Sequence, residues 1–127
     1  NDKLSGYAGY DYLSGGAGDD ILRSGASDPF GGDVLLGGDG IDTADYADMT
    51  GDIAVNLSVK ETTQNFWNLV TLDGSFTEWI AQIENVIGGK GSDTLTGDAN
   101  RNIFTGLKGN DILDGAGGLD GASFADK

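Results

Sequence analysis

Asp2, Asp11 and Asp20 stand nine residues apart, Asp33 follows after thirteen and Asp42 after nine more, and Asp93, Asn102, Asp111 and Asp120 keep the spacing of nine. A repeat this strict constrains the fold before any other feature, because whatever one unit forms its neighbours must form too. Four residues are inserted around Ser27-Asp28-Pro29-Phe30, where the spacing predicts a bulged, irregular turn. Aligned on the acidic position, Gly15-Gly16-Ala17-Gly18-Asp19-Asp20-Ile21-Leu22-Arg23 and Gly88-Gly89-Lys90-Gly91-Ser92-Asp93-Thr94-Leu95-Thr96 are complete copies of G-G-x-G-x-D-x-U-x, with U apolar. The copies starting at Gly6, Gly37 and Gly106 are looser. The weakest runs from Gly97 to Thr105, with Asn100 and Asn102 in place of the fourth-position Gly and the Asp.

Glycine follows the repeats. Eleven of the 23 glycines fall in residues 1–45 and ten in 87–127, against two, Gly51 and Gly74, in the stretch between. The chain therefore divides into a first array (1–45), a connecting segment (46–86) and a second array (87–127), expected as one continuous module. Segments so rich in glycine contribute little side-chain area and lose much entropy on ordering, so something besides hydrophobic burial must hold them. Eighteen of the 21 acidic residues are Asp, and the formal charge is −14. Such a chain repels nucleic acid and anionic membranes and calls for a cationic partner. With neither His nor Cys, zinc, haem and thiolate sites and the usual nucleophilic machinery are excluded, which leaves oxygen-ligated cations. No apolar run approaches the length of a membrane span.

The nonapeptide resembles the RTX (repeats-in-toxin) family of calcium-binding proteins, over about two-thirds of the chain. The resemblance implies an all-β fold, a right-handed parallel β-roll in two repeat arrays joined by a strand and hairpin segment. In such a roll six residues turn, three form a strand, and calcium lies between turns stacked on the same side. Glycines allow left-handed backbone angles, so carbonyl oxygens can point into the gap between turns while Asp supplies charge. Carboxylates and carbonyls together suit calcium better than magnesium. The candidate ligands are the carboxylates of Asp2, Asp11, Asp20, Asp33, Asp42, Asp93, Asp111 and Asp120, the amide of Asn102, and Gly16, Gly18, Gly31, Gly38, Gly40, Gly89, Gly91, Gly109 and Gly118. Same-side partners are every second repeat, which pairs Asp2 with Asp20, Asp20 with Asp42, Asp11 with Asp33, Asp93 with Asp111 and Asn102 with Asp120. Five divalent ions would bring the charge to about −4, and without them like charges face each other in every gap. A disordered acidic linker or a merely solvated acidic surface does not explain why Leu recurs two places after Asp. Residue U should point inward, so that Leu4, Leu13, Leu22 and Leu35 stack in one thin core and Leu95, Phe104 and Leu113 in another.

In the connecting segment Ile53, Val55, Leu57 and Val59 alternate with polar or small residues as in a half-buried strand. A second strand is expected from about Phe66 to Leu72, then an Asp73-Gly74 hairpin turn, then a returning strand from Ser75 to Ile80 with Trp79 and Ile80 carrying bulk. The order Asp-Tyr-Ala-Asp, Val-Asn-Leu, Ile-Glu-Asn-Val-Ile-Gly-Gly is similar to the segment joining RTX blocks in mannuronan C5-epimerase repeat modules and serralysin-like protease tails. Phe66, Trp67, Phe76 and Trp79 could form a sugar-stacking platform, but at strand spacing they read first as core. Glu61, Glu78 and Glu84 lack the spacing of a glycosidase acid pair and are expected on the surface. Gly16-Ala17-Gly18 is no phosphate loop, since Asp19 and Asp20 would repel the ligand.

The leading expectation is a non-catalytic, calcium-dependent structural module of an exported bacterial protein. By resemblance it would leave the cell through a type I secretion channel and fold outside. The partners expected are calcium ions and neighbouring repeats or domains, with an extracellular polysaccharide as an alternative contacted by Lys3, Arg23, Lys60, Lys90, Arg101, Lys108 or Lys127. A surface-layer or adhesin repeat is the third reading. Tyr46-Ala47-Asp48 and Phe124-Ala125-Asp126 close the two arrays alike, which suggests a piece of a longer tandem protein.

Overall fold

The computed structural model describes residues 1–25, 32–58, 68–72 and 76–124. Each described nonapeptide forms a strand at or around its U residue. The first array supplies β1 (Lys3–Ser5), β2 (Tyr12–Ala17), β3 (Ile21–Arg23), β4 (Val34–Asp39) and β5 (Thr43–Asp45). The connecting segment supplies β6 (Ile53–Asn56), β7 (Asn68–Leu72), β8 (Phe76–Ala81) and β9 (Asn85–Ile87). The second array supplies β10 (Thr94–Thr96), β11 (Ile103–Thr105), β12 (Ile112–Asp114) and β13 (Gly121–Ser123).

Successive strands alternate between two sheets through both arrays. One sheet has six strands in the order β1-β3-β5-β9-β11-β13, and the other has seven in the order β12-β10-β6-β7-β8-β4-β2. All pairings are parallel except those of β7, which lies antiparallel between β6 and β8. Strands of three residues are too short to stand alone, and the repeat stabilises them by giving every one a partner on the next coil. The architecture is all-β with two largely parallel sheets, as a β-roll requires.

Register stacks the U residues. On the six-stranded sheet Leu4, Leu22, Ala44, Val86, Phe104 and Ala122 lie in one row. On the other, Leu13 aligns with Leu35 and Ile80, and Val55 with Leu95 and Leu113. Leu22, Leu35, Ala44, Val70, Ile80, Val86 and Leu95 are fully buried, and each larger aliphatic among them stabilises the fold by about 1.5–3 kcal/mol. The two thin cores expected from the arrays are a single cluster, because Tyr46, Met49, Ile53, Val55, Val70, Leu72, Ile80 and Ile83 of the connecting segment fill the space between them.

The junction motif is a built corner. Tyr46 is buried in the core, Ala47 N donates to Asp45 Oδ1 at 2.9 Å, and Arg23 clamps Asp45 at 2.6 Å and Asp48 at 3.1 Å. Two expectations for the connecting segment are corrected. Ile80 must face inward to continue the row of Leu35, so by the alternation of a strand Trp79 faces out and is 38% exposed, while Glu78 is buried at 3%. Glu84 is half-buried, not a surface residue. The bulge at 27–30, Val59, Lys60, Glu61, Phe66, Trp67, the side chain of Phe76, the Asp73-Gly74 turn and Ala125-Asp126-Lys127 lie outside the described residues, as does Gly31.

Candidate metal centres

The turns stack into two columns, one at the end of each sheet. Within a column the residue following each sixth-position Asp donates to the carbonyl of the preceding one: Ile21 N to Asp2 O (2.9 Å), Thr43 N to Asp20 O (2.8 Å), Val34 N to Asp11 O (2.9 Å), Ile112 N to Asp93 O (2.8 Å) and Gly121 N to Asn102 O (2.9 Å). This ladder brings the acidic positions face to face. Asp20 Oδ1 accepts from Asp2 N at 2.6 Å and Asp42 Oδ1 from Asp20 N at 2.8 Å. In the same way Asp33 accepts from Asp11 N (2.9 Å), Asp111 from Asp93 N (3.0 Å) and Asp120 from Asn102 N (2.9 Å). All five pairs expected from the spacing are brought together.

In Asp20, Asp33, Asp42, Asp111 and Asp120 one carboxylate oxygen is thus held by a backbone N–H of the neighbouring turn, whereas Asp93 has both oxygens held, by Ile53 N and Gly89 N. Asp11 Oδ2, Asp20 Oδ2 and Asp42 Oδ2 are buried with no hydrogen-bond partner, and Asp20 and Asp42 are 1% and 0% exposed. A buried anionic oxygen without a donor costs several kcal/mol and calls for a cation. Burial raises the Asp42 carboxyl above the usual range, with repulsion from Asp20 adding to it. Burial likewise pushes Asp93 up to about 6, although N–H groups of Ile53 and Gly89 pull it down. The donors are all oxygen, the chemistry of a hard cation such as calcium, and these residues fit it. Among the described residues no three side chains of the His, Cys, Asp and Glu types cluster, so backbone carbonyls must complete any coordination shell.

The glycines divide into two roles. Most second- and fourth-position glycines take left-handed angles, with φ of +93° at Gly16, +116° at Gly18, +117° at Gly38, +142° at Gly40, +99° at Gly109 and +116° at Gly118, whereas Gly89 and Gly91 do not. Tyr7, Leu107 and Ala116 occupy the second position with φ of 72°, 63° and 63°, a strain of about 1–2 kcal/mol each that the stack imposes. First positions are glycine for close approach: a Cβ on Gly15 would overlap Asp20 Oδ2 and stand 2.7 Å from Gly37 O on the next turn. Gly89 and Gly91 face the carbonyls of Met49 and Gly51 in the connecting segment, not another nonapeptide turn.

Asn102 differs from the aspartates it replaces. Its Oδ1 accepts from Asp98 N and its Nδ2 donates to Glu84 O, both at 2.9 Å, so its amide is engaged on both sides within the protein.

Sequence reasoning missed the two glutamates. Trp79 N donates to Asp33 O at 3.0 Å and Asn85 N to Asp42 O at 2.9 Å, which are the ladder bonds of the columns. Glu78 thus stands at the acidic position after Asp33, and Glu84 at the one after Asp42. The signal available was the Glu-x-Ile of Glu78 and the Glu-x-Val of Glu84, each an acid followed two places later by an inward aliphatic, as in Asp-x-Leu.

Glu78 lies beside Ser24 and Tyr46. Glu78 Oε2 and both hydroxyl oxygens are buried without a fully formed hydrogen bond, yet the hydroxyls are close enough to favour the anion. Burial outweighs them and, with repulsion from Asp33, pushes the carboxyl up to about 7. An unfolded chain releases this proton near 4.5. Between these values the native state binds the extra proton, so the stabilisation is complete below pH 4.5 and is lost as the pH rises to 7. At saturating calcium, Glu78→Gln is expected to remove this decline and to be more stable than the parent at pH 8 by up to about 3 kcal/mol. Thermal melts of both proteins from pH 5 to 8 test this, and parallel profiles refute it.

Parallel coils with facing carboxylates, carbonyl-lined gaps and glycine at each close approach define a solenoid of the cation-binding kind. The chain matches the RTX calcium-binding nonapeptide repeat in four copies, over residues 1–29 and 86–122, just over half of its length. It belongs to that family, whose calcium-binding repeat modules are non-catalytic. Comparison with curated proteins returns no significant match.

Proposed function

We propose that the chain is a calcium-loaded structural module of an exported bacterial protein, folding outside the cell where calcium is abundant. About five ions would lie in the gaps Asp2/Asp20, Asp20/Asp42, Asp11/Asp33, Asp93/Asp111 and Asn102/Asp120, with backbone carbonyls of the turns completing each shell. The observation that carries this reading is the set of buried Oδ2 atoms of Asp11, in one column, and Asp20 and Asp42, in the other, each without a donor. Like-charge repulsion in the ion-free chain supplies the switch from unfolded inside to folded outside, and the parent protein would use the roll as a spacer or scaffold.

Calorimetry ranks the sites. Asp20 borders two gaps, so Asp20→Ala should lower calcium affinity roughly 10- to 100-fold. Asn102→Ala should lower the melting temperature through two lost hydrogen bonds while leaving calcium affinity nearly unchanged. The reverse order would mean that the gaps do not hold the ions.

Polysaccharide binding, the second reading, has one observation in its favour. Tyr12, Val34 and Trp79 form one row across the outer face of the seven-stranded sheet, with the two aromatic rings 63% and 38% exposed. Two strand spacings put those rings about 9–10 Å apart, a length suited to stacking on successive sugars. Arg23 adds little there, being tied to Asp45 and Asp48. Weak, salt-sensitive binding of alginate that Trp79→Ala abolishes would support it.

A further inference from the structure

The connecting segment rejoins the column of turns at Glu84, 42 residues beyond Asp42 and outside the nine-residue spacing. Strand register sets Thr43 against Asn85, so Glu84 stacks directly on Asp42. Its side chain repeats the bond of the aspartates: Asp42 N donates to Glu84 Oε2 at 2.9 Å, as Asp20 N does to Asp42 Oδ1 at 2.8 Å. A carbonyl completes the likeness. A Cβ on Gly37 would overlap Gln82 O and stand 2.6 Å from Asp42 Oδ2, just as one on Gly15 meets Gly37 O and Asp20 Oδ2. Gln82 O and Asp42 Oδ2 therefore converge beside Gly37, the former directed there by a left-handed φ of 53° at Gln82. Asp42 is fully buried and its Oδ2 has no hydrogen-bond partner.

We propose that Asp42 and Glu84, with the carbonyl of Gln82, form an additional divalent-cation site of the calcium-preferring kind, at the joint between the first array and the connecting segment. It rests on the reading that the turn gaps hold calcium, and it extends that chemistry to residues outside any nonapeptide. Only Gln82, Ile83 and Glu84 separate β8 from β9, whereas six residues separate β10 from β11. The additional methylene of Glu gives the shorter turn the reach that Asp has in a full one. On the far side of Glu84 the column changes character, because there Asn102 closes the gap with its amide instead of presenting a free oxygen. The ion at the joint ties the hairpin segment to the first array, so both fold together.

Native mass spectrometry of the full chain at saturating calcium counts the ions. Glu84→Ala should carry one ion fewer than the parent. Asp42→Ala, which removes a ligand from the gaps on both of its sides, should carry two fewer. Should Glu84→Ala fail to fold, the Asp42→Ala count alone decides. An unchanged count in Glu84→Ala, or a loss of only one ion in Asp42→Ala, overturns the site at the joint while leaving calcium in the nonapeptide gaps. A parent chain that takes up no calcium overturns the underlying reading, and the joint with it.

Discussion

Stripped of calcium by a chelator, the chain should lose its β-rich circular dichroism spectrum and become largely disordered, and millimolar calcium should restore the fold. Five pairs of acidic or amide positions meet across the turn gaps, and burial already holds Asp42 and Asp93 above their ordinary range. Ionised and unneutralised, such pairs oppose folding. A site filled at 100 times its dissociation constant adds about 2.7 kcal/mol, so five sites together supply on the order of 13 kcal/mol. A whole small domain has a net stability of about 5–15 kcal/mol, so ions bound in these gaps would decide whether this chain folds. The melting temperature should climb with calcium concentration, since metal-binding free energy is here folding free energy. Magnesium should be much less effective, because it sheds water reluctantly and demands tighter geometry than stacked carbonyls provide. A spectrum that stays β-rich after thorough chelation would refute the mechanism.

Gly37→Ala should destabilise the calcium-loaded fold by about 3–5 kcal/mol, among the largest effects of any single methyl group in the chain. The added Cβ would overlap the backbone carbonyl of Gln82 and stand 2.6 Å from Asp42 Oδ2 and 2.7 Å from Asp42 Cβ, so no flexible side-chain end can move aside. The two turns would have to part, opening the gap between Asp42 and Glu84. Gly16→Ala is the informative control. Gly16 has a φ of +93° and no heavy atom within 4 Å of its Cβ position, so that substitution should cost only the left-handed backbone strain, about 1–2 kcal/mol. Thermal melts of both variants at saturating calcium separate the two roles of glycine. A larger loss in Gly16→Ala would mean that backbone conformation, not close approach, explains the first-position glycines.

Much of the candidate site was legible because the repeat is short. A nine-residue beat with an apolar residue two places after Asp reveals strand, turn and column at once, and the same-side pairing of every second unit follows from two units per coil. Those pairings appear in the structure bond for bond, from Asp2 with Asp20 to Asn102 with Asp120. The connecting segment was legible only as strands. Its alternation located β6, β7 and β8 but not their neighbours, and aromatic bulk at Trp79 suggested core where the register of Ile80 with Leu35 turns it outward.

Local chemistry, carried in the order of residues, determined that this protein is a stack of glycine turns and short strands with carboxylates at one register. Each nonapeptide holds its own turn, an acid or amide and an inward apolar residue, so no distant partner is needed to recognise it. Only the tertiary structure decided how the stack continues across the segment without repeats. It inserted β7 antiparallel between β6 and β8, joined the cores, and set Glu78 after Asp33 and Glu84 after Asp42, at separations of 45 and 42 residues. Such placements depend on which strand edges pair, which is settled by burying Val55, Val70 and Ile80 in one continuous core. No spacing within the chain carries that information, because the hairpin interrupts the beat while the backbone ladder restores it in space.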